Sequence, residues 1–162
     1  MGPHTSNTDF IMGLAFRSVA GISHARFLAK DTLFKWPFGF LFRKAGGIPV
    51  FRNTNNNLVD QVVDYFKKNQ KFVLALSPEG TRKKTEKLKT GFYYIARMAD
   101  VPIVMAGFDY KNKNLVISPP FKTTENMEAD FNNIISFFAP LQGKNINNGM
   151  GHYKSALNSP SQ

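Results

Sequence analysis

Two residues near the start of the chain, His4 and Asp9, have the types and the spacing that acid–base chemistry can use. On one continuous helix their side chains would point about 140° apart and could not cooperate. They can meet if His4 lies on a loop and Asp9 falls in the first turn of the helix that follows. A carboxylate beside the imidazole would fix its tautomer and leave the other ring nitrogen as a general base. The alternative is a capping aspartate beside a loop histidine, with no chemistry.

The neighbouring residues favour the cooperating geometry. Ser6 or Asn7 can cap the N-terminus of a helix whose mainly apolar body covers residues 10–16. The sequence therefore predicts that a helix starts between His4 and Asp9.

A second polar group follows an unbroken apolar run at residues 72–76, which predicts a buried strand. The turn after it contains Glu79, Gly80, Thr81 and Arg82, and the end of a central strand is the usual place for an active site in an open α/β sheet. Basic residues crowd the same loop: Arg82, Lys83, Lys84, Lys87 and Lys89. Alone they would indicate a solvated charge run, whereas beside a glycine turn they also predict an anion-binding rim.

The composition limits the classes of protein. The length of 162 residues is typical of one domain with a real core, and the absence of cysteine excludes disulfides, thiolate catalysis and cysteine metal sites. The sequence contains no run of eighteen or more apolar residues and therefore predicts no membrane-spanning helix. The net charge of +10 suits nucleic acid, anionic lipid headgroups or phosphorylated small molecules.

Alternating strand and helix patterns predict an α/β fold with a mixed, mostly parallel central sheet flanked by helices. The predicted strands are residues 26–29, 48–51, 72–76, 101–107 and 114–118, and the later predicted helices are 58–66, 90–99 and 127–138. From residue 143 onward Asn, Gly and Ser dominate, so we expect one domain over 1–142 and a flexible tail over 143–162.

An aromatic segment interrupts this pattern between residues 32 and 42. Its large rings are interleaved with or followed by cations: Phe34, Trp36, Phe38, Phe40 and Phe42 with Lys35, Arg43 and Lys44. The segment can be ordinary core, an interfacial patch at lipid-headgroup depth, or a nucleic-acid surface. The scarcity of polar residues between the rings favours lipid.

Four blocks, taken in order, carry a family resemblance. They are the H-x-x-x-x-D of His4 and Asp9, the Gly-Ile-Pro-Val-Phe-Arg of 47–52, the Pro-Glu-Gly-Thr-Arg of 78–82, and the Val-Pro-Ile of 101–103. Together they resemble the glycerolipid acyltransferase family, the 1-acylglycerol-3-phosphate acyltransferase-like or lysophospholipid acyltransferases. The resemblance runs from His4 to about Phe121 and implies a glycerol-3-phosphate acyltransferase-like fold.

The resemblance also implies roles for single residues. His4 corresponds to the general base that deprotonates the acceptor hydroxyl, and Asp9 to the residue that orients it. Arg52 and the block formed by Glu79, Gly80, Thr81 and Arg82 correspond to the binding site for the acceptor's glycerol phosphate. Arginine forks suit a phosphate, which agrees with these residue types.

The implied reaction moves a fatty acyl group from acyl-CoA or acyl carrier protein to lysophosphatidic acid or a related lysolipid. It needs no metal and no cofactor beyond that co-substrate. The expected location is cytoplasmic, peripheral on the inner face of the cell membrane, with no nucleic-acid partner. The alternative is a catalytically silent basic domain that binds membranes or nucleic acid.

The family places a strand before the catalytic histidine, so we expect this domain to lack its N-terminal strand. The acceptor headgroup (phosphate or carboxylate), the acyl chain length, the donor carrier and the oligomeric state stay open at this point.

Overall fold

A computed structural model of the chain describes residues 1–37, 39–50 and 58–153. The chain divides into two compact units. Residues 10–76 form the unit that we call the sheet unit, and residues 1–9 with those from 77 onward form the site unit. Each unit is described by itself.

The sheet unit contains a three-stranded parallel sheet with the strand order β2-β1-β3. Its strands are β1 (Arg26–Lys30), β2 (Gly47–Val50) and β3 (Leu74–Ala75). Phe27 in β1 pairs with Gly47 on one side and with Ala75 on the other. The helices along this part of the chain are α1 (Thr8–Val19), α2 (Gly39–Lys44) and α3 (Leu58–Lys68), with a 3₁₀ turn at Asp31–Phe34.

Apolar periodicity explains how α3 packs, because the adjacent residues Val62 and Val63 are buried while its charged positions face solvent. The strand predicted over 72–76 is shorter than expected. The N–H of Phe72 donates to the carbonyl of Asn69 at 3.2 Å in the turn that closes α3, so Phe72 does not join the ladder. The last residue of the strand predicted over 48–51, Phe51, lies outside the described residues.

The site unit contains an antiparallel hairpin of β4 (Ala106–Asp109) and β5 (Asn114–Ile117), with helical elements before and after it in the chain. Gly2 adds a parallel bridge to Gly107, since its N–H donates to the carbonyl of Ala106 at 3.0 Å and its carbonyl accepts from Phe108 at 3.2 Å. The helical elements are α4 (Gly91–Met98), α5 (Met127–Phe138) and a 3₁₀ turn at Ile146–Asn148.

The strand predicted over 101–107 begins later than expected. Pro102 has no N–H to donate, and Ile103 forms only an isolated antiparallel bridge with Phe121. Regular pairing starts at Ala106. With one parallel sheet, an antiparallel hairpin and helices around them, the mixed α/β prediction is confirmed.

The core of the site unit gathers side chains from four separated stretches of chain: Leu88, Met105, Ile134, Phe138, Leu141, Met150 and Tyr153. The presence of Met150 and Tyr153 differs from the flexible tail that we expected after residue 142. The composition of this segment is polar and rich in glycine, so it did not indicate that these two residues are buried. The hydroxyl of Tyr153 also donates to the carbonyl of Thr85 at 2.6 Å. Residues 154–162 lie outside the described residues, and the domain boundary at 142 stays a prediction.

The aromatic segment is divided between core and surface. Phe34 is buried beneath the guanidinium of Arg43, 5.5 Å from its ring centre, whereas Trp36 is 93% exposed and Phe40 is 71% exposed. Phe38 lies outside the described residues. Within the described ranges, no helix combines the length and the apolar character needed to cross a membrane.

Candidate active site

The start of α1 positions the first candidate pair. Ser6 closes the turn before the helix, because its carbonyl accepts from the N–H of Asp9 at 3.3 Å and its Oγ accepts from the N–H of Thr8 at 3.2 Å. The helix begins at Thr8, which places Asp9 in the first turn and His4 on the preceding loop. This is the local geometry that the sequence predicts.

The carboxylate of Asp9 is buried, with 4% of the residue exposed, and is held by several donors. Its Oδ2 accepts from the backbone N–H groups of Thr5 and Ser6, each at 2.7 Å. Its Oδ1 accepts from the hydroxyl of Tyr110 at 2.6 Å. Donors on both oxygens fix the carboxylate plane, so the orientation of Asp9 is set before any substrate binds.

The imidazole of His4 lies beside this carboxylate and is partly open to solvent. Its Nδ1 is 3.4 Å from Oδ2 of Asp9, and 30% of the side chain is exposed. Burial lowers the pKa of His4 below its ordinary value of 6.5; Asp9 opposes this effect and the positive charge of Arg82 adds to it. A neutral imidazole with Nδ1 towards Asp9 has Nε2 as the nitrogen that can accept a proton.

Glu79 joins the third sequence block to the first. Its Oε2 accepts from the backbone N–H of His4 at 2.6 Å and lies 3.4 Å from the hydroxyl of Ser77. Only 3% of Glu79 is exposed, and this burial raises the pKa of its carboxyl group to about 7. Gly80 makes the turn after it with a φ of +66°, a conformation that favours glycine. The turn therefore holds the loop on which His4 lies.

The residues after Gly80 form an exposed cationic rim. Arg82 is exposed, and its backbone carbonyl accepts from Nδ2 of Asn148 at 3.0 Å. Thr81 caps the start of this loop, because its Oγ1 accepts from the N–H of Lys83 at 3.3 Å. The other cations of the predicted rim are exposed as well: Lys83, Lys84, Lys87 and Lys89. Such a rim can attract and bind an anionic group.

An open cavity of about 590 Å³ lies along the loop between His4 and Asp9. It is lined by Thr5 and Ser6 on one side and by residues 144–147 on the other. Among the described residues, no group of three or more His, Cys, Asp or Glu side chains could hold a metal ion.

A comparison with protein-family models bears on this geometry. The model of the acyltransferase family matches residues 1–108, which is 108 of the 162 residues and includes all four sequence blocks. The chain belongs to the acyltransferase family. The comparisons with curated proteins and with solved structures gave no match.

The family membership that the sequence resemblance predicted is confirmed, and the structure brings together most of this acyltransferase's predicted site residues. His4, Asp9 and Glu79 are joined by direct contacts, and Arg82 is close enough for its charge to act on His4. Arg52 lies outside the described residues.

Sequence reasoning missed Tyr110. A signal was available, because Tyr110 immediately follows β4, and polar residues at the ends of strands are candidates for a site in an α/β protein. The register that turns its hydroxyl towards Asp9 depends on the tertiary structure.

Proposed function

We propose that this acyltransferase transfers a fatty acyl group from an acyl thioester, acyl-CoA or acyl carrier protein, to the free hydroxyl of lysophosphatidic acid or a related lysolipid. The observation that carries the proposal is the placement of His4 between two buried carboxylates. Asp9 lies at its Nδ1 and Glu79 accepts from its backbone N–H. A histidine that is held at its backbone N–H and at Nδ1, and whose imidazole is largely neutral at pH 7, is suited to act as a general base.

In the proposed reaction, Nε2 of His4 takes the proton of the acceptor hydroxyl as its oxygen attacks the thioester carbonyl. The new C–O bond forms, the tetrahedral intermediate collapses with cleavage of the C–S bond, and the imidazolium returns the proton to the leaving thiolate. The ester and a free thiol are the products. The carboxylate of Asp9 stabilises the positive charge on His4 while the imidazolium exists.

The acceptor's headgroup is proposed to bind at the cationic rim. Arg82 is the cation of the Glu-Gly-Thr-Arg block and acts electrostatically on His4, so an anion bound there would lie near the base. Gly80 and Thr81 shape the turn, and the family resemblance assigns Arg52 of the second block to the same headgroup. Glu79 was placed with these residues by the resemblance, and its contact with His4 supports a role in positioning the base for the bound acceptor.

The location is proposed to be the inner, cytoplasmic face of the cell membrane, with peripheral attachment through the sheet unit. Trp36, Phe40 and Leu41 are exposed apolar side chains, and Lys35, Arg43 and Lys44 beside them are exposed cations. Aromatic rings at headgroup depth with neighbouring cations suit an anionic bilayer surface.

The test measures thiol release from an acyl thioester, with and without lysophosphatidic acid, for the wild type and His4→Ala. His24→Ala is the matched control because His24 is exposed and lies in the sheet unit. Acceptor-dependent release should be retained in His24→Ala and should fall by roughly 10²- to 10⁴-fold in a folded His4→Ala protein.

Other outcomes have different meanings. Release without acceptor would indicate a thioesterase. Full activity in His4→Ala would contradict the assignment of the base. A wild type that binds anionic vesicles but releases no thiol with any lysolipid or donor would favour the silent binding domain.

A further inference from the structure

The contact between Tyr110 and Asp9 joins two parts of the site unit that are 101 residues apart in sequence. The hydroxyl of Tyr110 donates to Oδ1 of Asp9 at 2.6 Å, which is short for such a bond and typical of a charged acceptor. The two backbone donors from Thr5 and Ser6 both act on the other oxygen, Oδ2. Among the described residues, Tyr110 is therefore the side-chain donor to Oδ1.

This division of donors has a mechanical consequence. Two N–H groups that converge on Oδ2 leave the carboxylate free to swing about that oxygen, whereas a third donor on Oδ1 fixes its plane. Oδ2 lies 3.4 Å from Nδ1 of His4, and the direction in which it faces the ring depends on that plane. Rotation of the carboxylate about Oδ2 would change the orientation of the imidazole while the negative charge stays beside it.

We propose that Tyr110 is a positioning residue of the acyltransferase site, which acts on His4 through Asp9 by fixing the carboxylate and withdrawing part of its charge. This inference rests on the proposed role of His4 as the general base. The state of Tyr110 suits this task, because burial, together with the hydrogen bond to Asp9, raises the pKa of its hydroxyl so that it remains a donor at physiological pH.

The charge part of the proposal has a direction. The groups that act on the imidazole of His4 are Asp9 on α1, Arg82 in the loop after Gly80, and the amino group of Met1, while Glu79 accepts from its backbone N–H. Removal of the Tyr110 hydroxyl would concentrate the negative charge of Asp9 and favour the imidazolium. The pKa of His4 should therefore rise in Tyr110→Phe, while the aromatic ring and its packing are kept.

The experiment compares the wild type, Tyr110→Phe and a matched control, Tyr93→Phe. Tyr93 is buried in the site unit and, like Tyr110, donates to a carboxylate, here Oδ2 of Asp130, at 2.9 Å. Both variants lose one tyrosine–aspartate hydrogen bond, so a general loss of stability should affect them alike. The His4 titration is followed by NMR of the imidazole Cε1 proton, and its signal is assigned by its absence in His4→Gln.

Tyr110→Phe should raise the His4 titration midpoint and lower kcat by roughly 10- to 100-fold, with little change in KM for the acceptor or the thioester. Tyr93→Phe should change neither the midpoint nor kcat. In an Asp9→Asn background, Tyr110→Phe should no longer move the midpoint, because the charge that the hydroxyl modulates is gone.

A His4 midpoint and a kcat that are unchanged in Tyr110→Phe, or changed equally in Tyr93→Phe, would overturn the inference. The NMR arm needs no turnover, so it separates the two proposals. A wild type with no acyl transfer but a midpoint that shifts in Tyr110→Phe would reject the proposed function and keep the Tyr110–Asp9–His4 coupling.

Discussion

Replacement of Glu79 by glutamine should stabilise the protein above neutral pH. Only 3% of Glu79 is exposed, and this burial raises the pKa of its carboxyl group from an ordinary 4.5 to about 7. A protonated carboxyl group and a glutamine amide have nearly the same shape, and each has an oxygen that can accept from the N–H of His4. The variant therefore resembles the protonated wild type.

The sign follows from proton linkage. Between pH 4.5 and 7 the folded state binds more protons at Glu79 than the unfolded state does, so this group's contribution to the free energy of unfolding falls as the pH rises. The contribution is fully present below pH 4.5 and is lost above pH 7. A shift of this size corresponds to roughly 3 kcal/mol at 1.36 kcal/mol per pKa unit.

The assay is urea unfolding followed by circular dichroism at pH 5 and pH 8, with equal ionic strength at both. Glu79→Gln should match the wild type within about 1 kcal/mol at pH 5 and exceed it by roughly 2 to 3 kcal/mol at pH 8. Glu86→Gln is the control, because it removes the same charge from an exposed position on the same loop. Its difference from the wild type should not grow with pH.

Two results would refute the reasoning. If Glu79→Gln were less stable than the wild type by the same amount at both pH values, the ionised carboxylate would be the favoured form in the folded protein. If Glu86→Gln gave the same increase with pH, the effect would come from net charge and not from burial of Glu79.

The remaining predictions concern catalysis and the surface. The acid limb of the pH profile of kcat/KM should lie below pH 6.5, because burial lowers the pKa of His4. The same profile measured in Glu79→Gln separates this limb from the titration of the Glu79 carboxyl group. A limb above pH 6.5 would contradict the assignment of His4 as the base. Gly143→Ala should lower the free energy of unfolding by about 1–3 kcal/mol and lower kcat, since a Cβ there would lie 2.6 Å from the side chain of Thr5 on the His4 loop. Gly91→Ala, whose Cβ would have no neighbour within 4 Å, should change neither quantity. Equal melting temperatures for the two variants would show that the loop moves to accept the methyl group. Trp36→Ser should reduce co-sedimentation with anionic liposomes, whereas Val19→Ser, which changes another exposed apolar residue, should not; unchanged binding in Trp36→Ser would count against the membrane surface.

The local part of the candidate site could be predicted from the sequence. His4 and Asp9 are close in the chain, and the serine that closes the turn before α1 lies between them, so their geometry depends on one helix start. The positions of most helices, such as residues 127–138, were also readable because apolar periodicity acts over a few turns. Strand bounds were less accurate: the ladder near Ala106 depends on which N–H groups find partners elsewhere in the chain.

The sequence by itself determined the α/β class, the four blocks and the family, because these depend on residue types at fixed local spacing. Only the tertiary structure decided that Glu79 holds the backbone of His4 from 75 residues away and that Tyr110 reaches Asp9 from 101 residues away. It also decided that Met150 and Tyr153 belong to the core. The physical reason is that hydrogen bonds and burial between distant segments depend on how the chain packs, and no local pattern encodes the register of that packing.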